Sequence, residues 1–162
     1  MKVLPPEKLA DFFREAKETG VFELYYLDLS TGLRRGELLG LKWNDINFET
    51  RMLEVKRQIQ RVNGVIQETA PKTHNAYRKI LLSAEAVEIL KEYREQQKVK
   101  SEYVFSSPTG GVMEPDCARK MLKRVLQRAG LDELRFHDLR HPYVKPTTKK
   151  FATFFENFRA TA

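Results

Sequence analysis

Two arginines far apart along the chain, Arg34 and Arg140, stand where side chains could do chemistry. Arg34 follows the turn Thr31-Gly32-Leu33 and opens a stretch rich in leucine. Arg140 closes the run Phe136-His137-Asp138-Leu139-Arg140, three residues after His137, so in a helical segment the two share one face. A guanidinium stays charged, and its planar fork matches two oxygens at once. A phosphodiester resists attack because its oxygens are negative, and its transition state gathers more charge on them. Two preorganised guanidiniums aimed at one phosphate answer both problems, each worth several kcal/mol, on the order of an oxyanion-hole donor.

These residues need a scaffold, and the pattern of apolar residues supplies one. Pro5-Pro6-Glu7 opens a helix in which Leu9, Phe12, Phe13 and Ala16 recur at helical spacing, ended by Thr19-Gly20. A second, mostly apolar helix runs from about residue 22 to 30, and Gly32 breaks it. A third carries Arg34 to about Lys42. The periodicity then changes: one strand over 52–62, the hairpin dipeptide Asn63-Gly64, and a second strand over 65–69. The turn Pro71-Lys72-Thr73-His74-Asn75 leads into a third strand over 77–82. Ser83 caps a helix over 84–98, and a helix over 115–129 closes at Gly130. The fold class expected is α+β, a mainly helical domain over 1–141 with a small three-stranded antiparallel sheet. An atypical tail follows over 142–162.

The balance of 29 basic against 22 acidic residues, net +7 in 162 residues, favours a polyanionic partner. A single cysteine, Cys117, excludes an internal disulfide, and three histidines without zinc-like spacing leave no metal site in view. No apolar run approaches the ~20 residues that span a bilayer, and the start lacks an apolar signal core, so a cytoplasmic protein with no membrane contact is expected.

Three segments in order resemble the tyrosine recombinase (integrase) family, in the flavour of phage and conjugative-transposon integrases. The first is Thr31-Gly32-Leu33-Arg34-Arg35-Gly36-Glu37-Leu38-Leu39-Gly40-Leu41-Lys42-Trp43. The second is Pro71-Lys72-Thr73 followed by Arg78-Lys79-Ile80-Leu81-Leu82. The third is His137-Asp138-Leu139-Arg140-His141. The resemblance covers about residue 4 to His141. It implies that Arg34 and Arg140 grip the scissile phosphate of double-stranded DNA and that Glu37 buttresses Arg34. Lys72, on the turn between strands, would protonate the leaving 5′-oxygen, and His137 would assist proton transfer or hydrogen-bond the phosphate. His141 would be a supporting hydrogen-bond partner. A tyrosine would form a 3′-phosphotyrosyl link that conserves bond energy without metal, ATP or other cofactor. Arg35, Thr73 and Arg78 would touch DNA, and Lys42, Lys56, Arg57, Arg61, Arg119, Lys120, Lys123 and Arg124 are further cations available to phosphates.

The tail departs from the family pattern. Pro142 and Pro146 interrupt a helix after His141, no third histidine box follows, and Tyr143 stands too near Arg140 to swing into line. The expectation is a chain altered at its C-terminus, inactive alone for want of its nucleophile and without the N-terminal DNA-binding domains of such integrases. Phe151, Phe154, Phe155 and Phe158 fall on one stripe of an amphipathic helix at 151–159, fit either to cover a gap in the core or to support self-association. The competing readings are a non-catalytic DNA-binding remnant that competes with full-length enzyme, and a type IB topoisomerase.

Overall fold

Residues 4–140 and 149–161 are described by the structure, a computed structural model. The fold is α+β. In chain order its helices are α1 (Leu9–Glu18), α2 (Phe22–Thr31), α3 (Arg35–Leu39), α4 (Ala84–Gln96), α5 (Pro115–Arg128) and α6 (Lys149–Thr161). The strands are β1 (Ile46–Asn47), β2 (Met52–Val55), β3 (Gln58–Val62), β4 (Val65–Thr69) and β5 (Arg78–Leu81). Short 3-10 turns include Trp43–Asp45, His74–Ala76 and Phe136–Arg140. The chain divides into two units, one of Met1–Leu33 with Arg119–Ala162 and one of Arg34–Ala118.

Aromatic rings dominate the core of the first unit. Phe12 and Phe13 of α1, fully buried, lie edge-on to one another at 5.4 Å. Phe12 meets Tyr25 of α2 at the same separation. Tyr25 in turn touches Phe136 at 5.8 Å, and this contact seats the 3-10 turn that carries His137 on α2. The tail helix α6 folds back onto the same core. Phe155 is fully buried, 4.6 Å from Tyr26 and 4.9 Å from Phe13, and Phe158 stacks on Phe22 at 5.9 Å. Edge-to-face pairs of this kind add to what area burial alone contributes. The described rings of the stripe thus cover the chain's own core, and the helix is two residues longer at each end than its apolar stripe implies.

The second unit contains a small three-stranded antiparallel sheet, as expected, together with a separate two-stranded ribbon, and the strands pair differently from the order expected. β1, β2 and β5 form an antiparallel sheet in that order, with Leu53 opposite Ile46 and Ile80. β3 and β4 form a separate ribbon, closed by Asn63 and Gly64, both at positive φ (49° and 80°) as a two-residue hairpin turn requires. The continuous strand expected over 52–62 breaks at Lys56-Arg57. The cause is a buried carboxylate. Asp45 pairs with Arg57 and lies 3.7 Å from Lys56, and Arg57 also donates to the Gly40 carbonyl at 3.2 Å. Turning these two cations toward Asp45 ends β2 and lets the chain change partners. β1 gave no signal of its own in the sequence, being two residues long.

Helix ends follow their capping chemistry. Gly32 closes α2 in the left-handed region (φ 66°), and Ser83 Oγ accepts the Ala86 N–H at 3.1 Å at the start of α4. α3 is shorter than expected: Arg34 is extended (φ −69°, ψ 150°) and caps the helix instead of entering it, and Gly40 ends it. Among the described residues no helix is long and apolar enough to cross a membrane.

Candidate active site

Arg34 owes its posture to Glu37. The Glu37 carboxylate, its side chain 2% exposed, accepts the Arg34 N–H at 2.8 Å and so fixes the extended cap from which the Arg34 side chain leaves. The Arg34 side chain is 64% exposed, its Nη1 4.0 Å from Glu37 Oε1. It is a cation held at its root and open at its head.

Glu37 has a second and closer partner. Arg78, at the start of β5, donates through both terminal nitrogens, Nη1 to Oε1 at 3.0 Å and Nη2 to Oε2 at 2.9 Å, and Nη1 also reaches the Ala76 carbonyl at 3.3 Å. Burial alone would raise the Glu37 carboxyl. Hydrogen bonds from Arg78 and the Arg34 N–H, with the charges of both guanidiniums, hold it below its ordinary value instead. Arg78, read from the sequence as a DNA contact, spends its fork inside the protein.

Two glycines let this cluster form. A Cβ on Gly36 would stand 2.6 Å from the Ile59 carbonyl oxygen, and one on Gly40 would stand 3.1 Å from Arg57 Cγ and 3.3 Å from its carbonyl. α3 therefore lies directly on the backbone of β3 and the residue before it. The spacing of Gly36 and Gly40, one helical turn, was a legible sign of a close-packed face.

Lys72 lies between β4 and the His74–Ala76 turn, exposed like Thr73 beside it, and among the described residues nothing pairs with it. The strand that delivers it is firmly anchored. Glu68 of β4 accepts the Tyr103 hydroxyl at 2.7 Å and pairs with Lys42 at 3.3 Å and Arg57 at 3.4 Å. The Tyr103 hydrogen bond leads in pulling the Glu68 carboxyl down, against a smaller upward push from burial, with Lys42 and Arg57 adding to it. Burial, then Glu68, pushes the Tyr103 phenol up to about 12. Lys42 and Arg57, read from the sequence as cations available to phosphates, are drawn onto Glu68 here. Glu68 and Tyr103 were not singled out in the sequence, because the members of this network are scattered from Lys42 to Tyr103 and no local spacing joins them.

In the first unit, His137 is exposed on the 3-10 turn that ends at Arg140. Asp138 is buried and caps the turn, its Oδ2 accepting the Arg135 N–H at 3.0 Å, and that bond leads in lowering its pKa. Arg35 is half-buried at the start of α3. His141, Tyr143, Pro142 and Pro146 lie outside the described residues. Among the described residues no three His, Cys, Asp or Glu side chains gather as a metal site would need.

The sequence pattern of the phage integrase family matches residues 6–144. A XerC-like tyrosine recombinase of Caldanaerobacter subterraneus subsp. tengcongensis is 35% identical across 74% of this chain and 36% of its own length. The ICEBs1 integrase of Bacillus subtilis is 27% identical across 89% of this chain and 42% of its own. The chain thus spans roughly two-fifths of the length of these relatives. The Tn1549 transposon integrase, solved in complex with transposon right end DNA, has the same fold, with a TM-score of 0.77 at 23% identity over 99% of this chain and 62% of that one. The XerH site-specific recombinase bound to its difH substrate gives 0.62 at 25% identity over 99% and 44%.

Proposed function

Because the chain belongs to the phage integrase family, we propose that it is the catalytic portion of a DNA strand-exchange enzyme, with double-stranded DNA as substrate. Arg34 and Arg140 grip one scissile phosphate, His137 hydrogen-bonds it or moves a proton, and Lys72 protonates the leaving 5′-oxygen. No metal or nucleotide is required, because a phosphotyrosyl link would conserve the energy of the broken bond. The match to the phage integrase family and the likeness to a transposon integrase favour a mobile element as the source, and the cytoplasm is proposed as the place of work.

One observation carries the reading: a 64% exposed guanidinium at position 34 whose root is locked by a buried carboxylate already satisfied by another arginine. That arrangement leaves a cation anchored at its backbone, only weakly engaged at its head and open to an anion, as a phosphate grip needs. Arg34→Ala should weaken binding to a core-type duplex by ~1–3 kcal/mol and lower the salt slope of binding by about one. A variant that binds duplex as the wild type does, with the same slope, sinks the reading.

The proposal includes that this chain does not cleave by itself. Tyr25, Tyr26 and Tyr103 are buried, and Tyr103 is engaged with Glu68. A suicide duplex should yield no covalent adduct with the chain alone. An adduct would overturn that part, and Tyr77→Phe, Tyr93→Phe and Tyr143→Phe would then find the nucleophile. Adding a tyrosine-bearing relative separates the competing reading: restored cleavage supports a retained active site, and pure inhibition supports a competing remnant. Self-association through the partly exposed edges of Phe154 and Phe158 is also proposed, and predicts a dimer that Phe154→Asp converts to monomer in sedimentation.

A further inference from the structure

We infer that Arg78 is a positioning residue that occupies Glu37 so that Arg34 stays free to bind an anion. The inference rests on the proposal that Arg34 grips a DNA phosphate, and it removes Arg78 from the residues that would do so.

The reasoning is a matter of one carboxylate and two arginines. Glu37 is buried, so its charge is poorly screened and draws any cation within reach. Arg34 is on the same short element, three residues away, with its Nη1 4.0 Å from Oε1, a small rotation short of a direct bond. Arg78 prevents that closure. Its fork covers both oxygens at 3.0 and 2.9 Å, and the Arg34 N–H takes a further lone pair of Oε2 at 2.8 Å. With these sites filled, Glu37 offers the Arg34 guanidinium only a long, weak contact. The Arg34 head remains in solvent with its donors available, while its backbone stays fixed. A third bond, from Arg78 Nη1 to the Ala76 carbonyl, locks Arg78 to the end of the Lys72-bearing loop, so that the same guanidinium ties that loop to α3.

Removing Arg78 should therefore disable Arg34 without touching it. In Arg78→Ala the Arg34 side chain should turn onto Glu37, and duplex affinity should fall ~10-fold or more, about as far as in Arg34→Ala. The two losses should not add in the double variant, because they are one loss. Adding Glu37→Gln to Arg78→Ala should restore affinity to near wild type, since glutamine still accepts the Arg34 N–H but no longer attracts its head. Arg78→Met, which keeps the apolar stem, repeats the test should the alanine variant melt before assay. If Arg78 holds DNA itself, the losses add, each takes about one from the salt slope, and Glu37→Gln restores nothing; that pattern overturns the inference.

A second measurement needs no DNA. The Nε–Hε resonance of Arg34 should exchange fast with water in the wild type, become protected in Arg78→Ala, and return to fast exchange with Glu37→Gln. An unchanged resonance in Arg78→Ala overturns the inference. Should wild type ignore duplex, or Arg34→Ala bind as well as wild type, the proposed function fails, and this resonance alone then decides the competition for Glu37.

Discussion

Glu37 shows how one side chain can be half legible. The family resemblance implied that it buttresses Arg34, and the structure supplies a physical reason: a spacing of three brings the carboxylate back to the start of its own helix, where it accepts the Arg34 N–H. Arg78 was also visible, but its partner lies 41 residues away, and no local rule links them. The depressed carboxyl has a consequence for stability. A group whose folded pKa lies below its unfolded one stabilises the fold fully above the unfolded value, near ~4.3 for a glutamate, and that contribution drains as pH falls through it toward the folded value. Wild type should therefore lose stability in the acid range that Glu37→Gln does not lose, as chemical denaturation at a series of pH values would measure. Parallel curves for the two proteins below about pH 5 would contradict the assignment.

At the level of elements, the hairpin at Asn63-Gly64, the caps at Gly32 and Ser83, and the helical spacing of α1, α2, α4 and α5 could all be read from the chain, since each follows from chemistry within a few residues. The break between β2 and β3 could not. Residues 52–62 carry an unbroken strand-like pattern, and only Asp45, buried and placed by another turn, draws Lys56 and Arg57 aside. The contact of α3 with β3 is equally non-local, and it is tight enough to measure. Gly36→Ala forces a methyl to within 2.6 Å of the Ile59 carbonyl, which is backbone and cannot rotate away. The variant should lose ~1–3 kcal/mol in denaturant unfolding. Unchanged stability would mean that α3 and β3 sit farther apart than the structure has them.

For the molecule as a whole, the fold class and the family were both open to sequence reading, because three motifs in order are hard to meet by accident and periodicity reports class. The fate of the tail was left between two readings, since a stripe of phenylalanines says that rings seek cover without saying where. The structure gives the rings Phe13, Phe22 and Tyr26 as cover. Phe155→Ala should accordingly cost ~3–5 kcal/mol in thermal or denaturant unfolding, as for a core aromatic, and a loss below ~1 kcal/mol would mean that α6 is not seated there. The glycines of the first motif carry a further consequence for anyone who would transplant it. A segment copied from Thr31 to Trp43 into a foreign scaffold arrives with a surface shaped to rest on a neighbouring main chain, and with a carboxylate awaiting an arginine from elsewhere. It is not a portable cassette: the smallest graft that would hold its arginine upright includes the ribbon beneath it and the strand that follows.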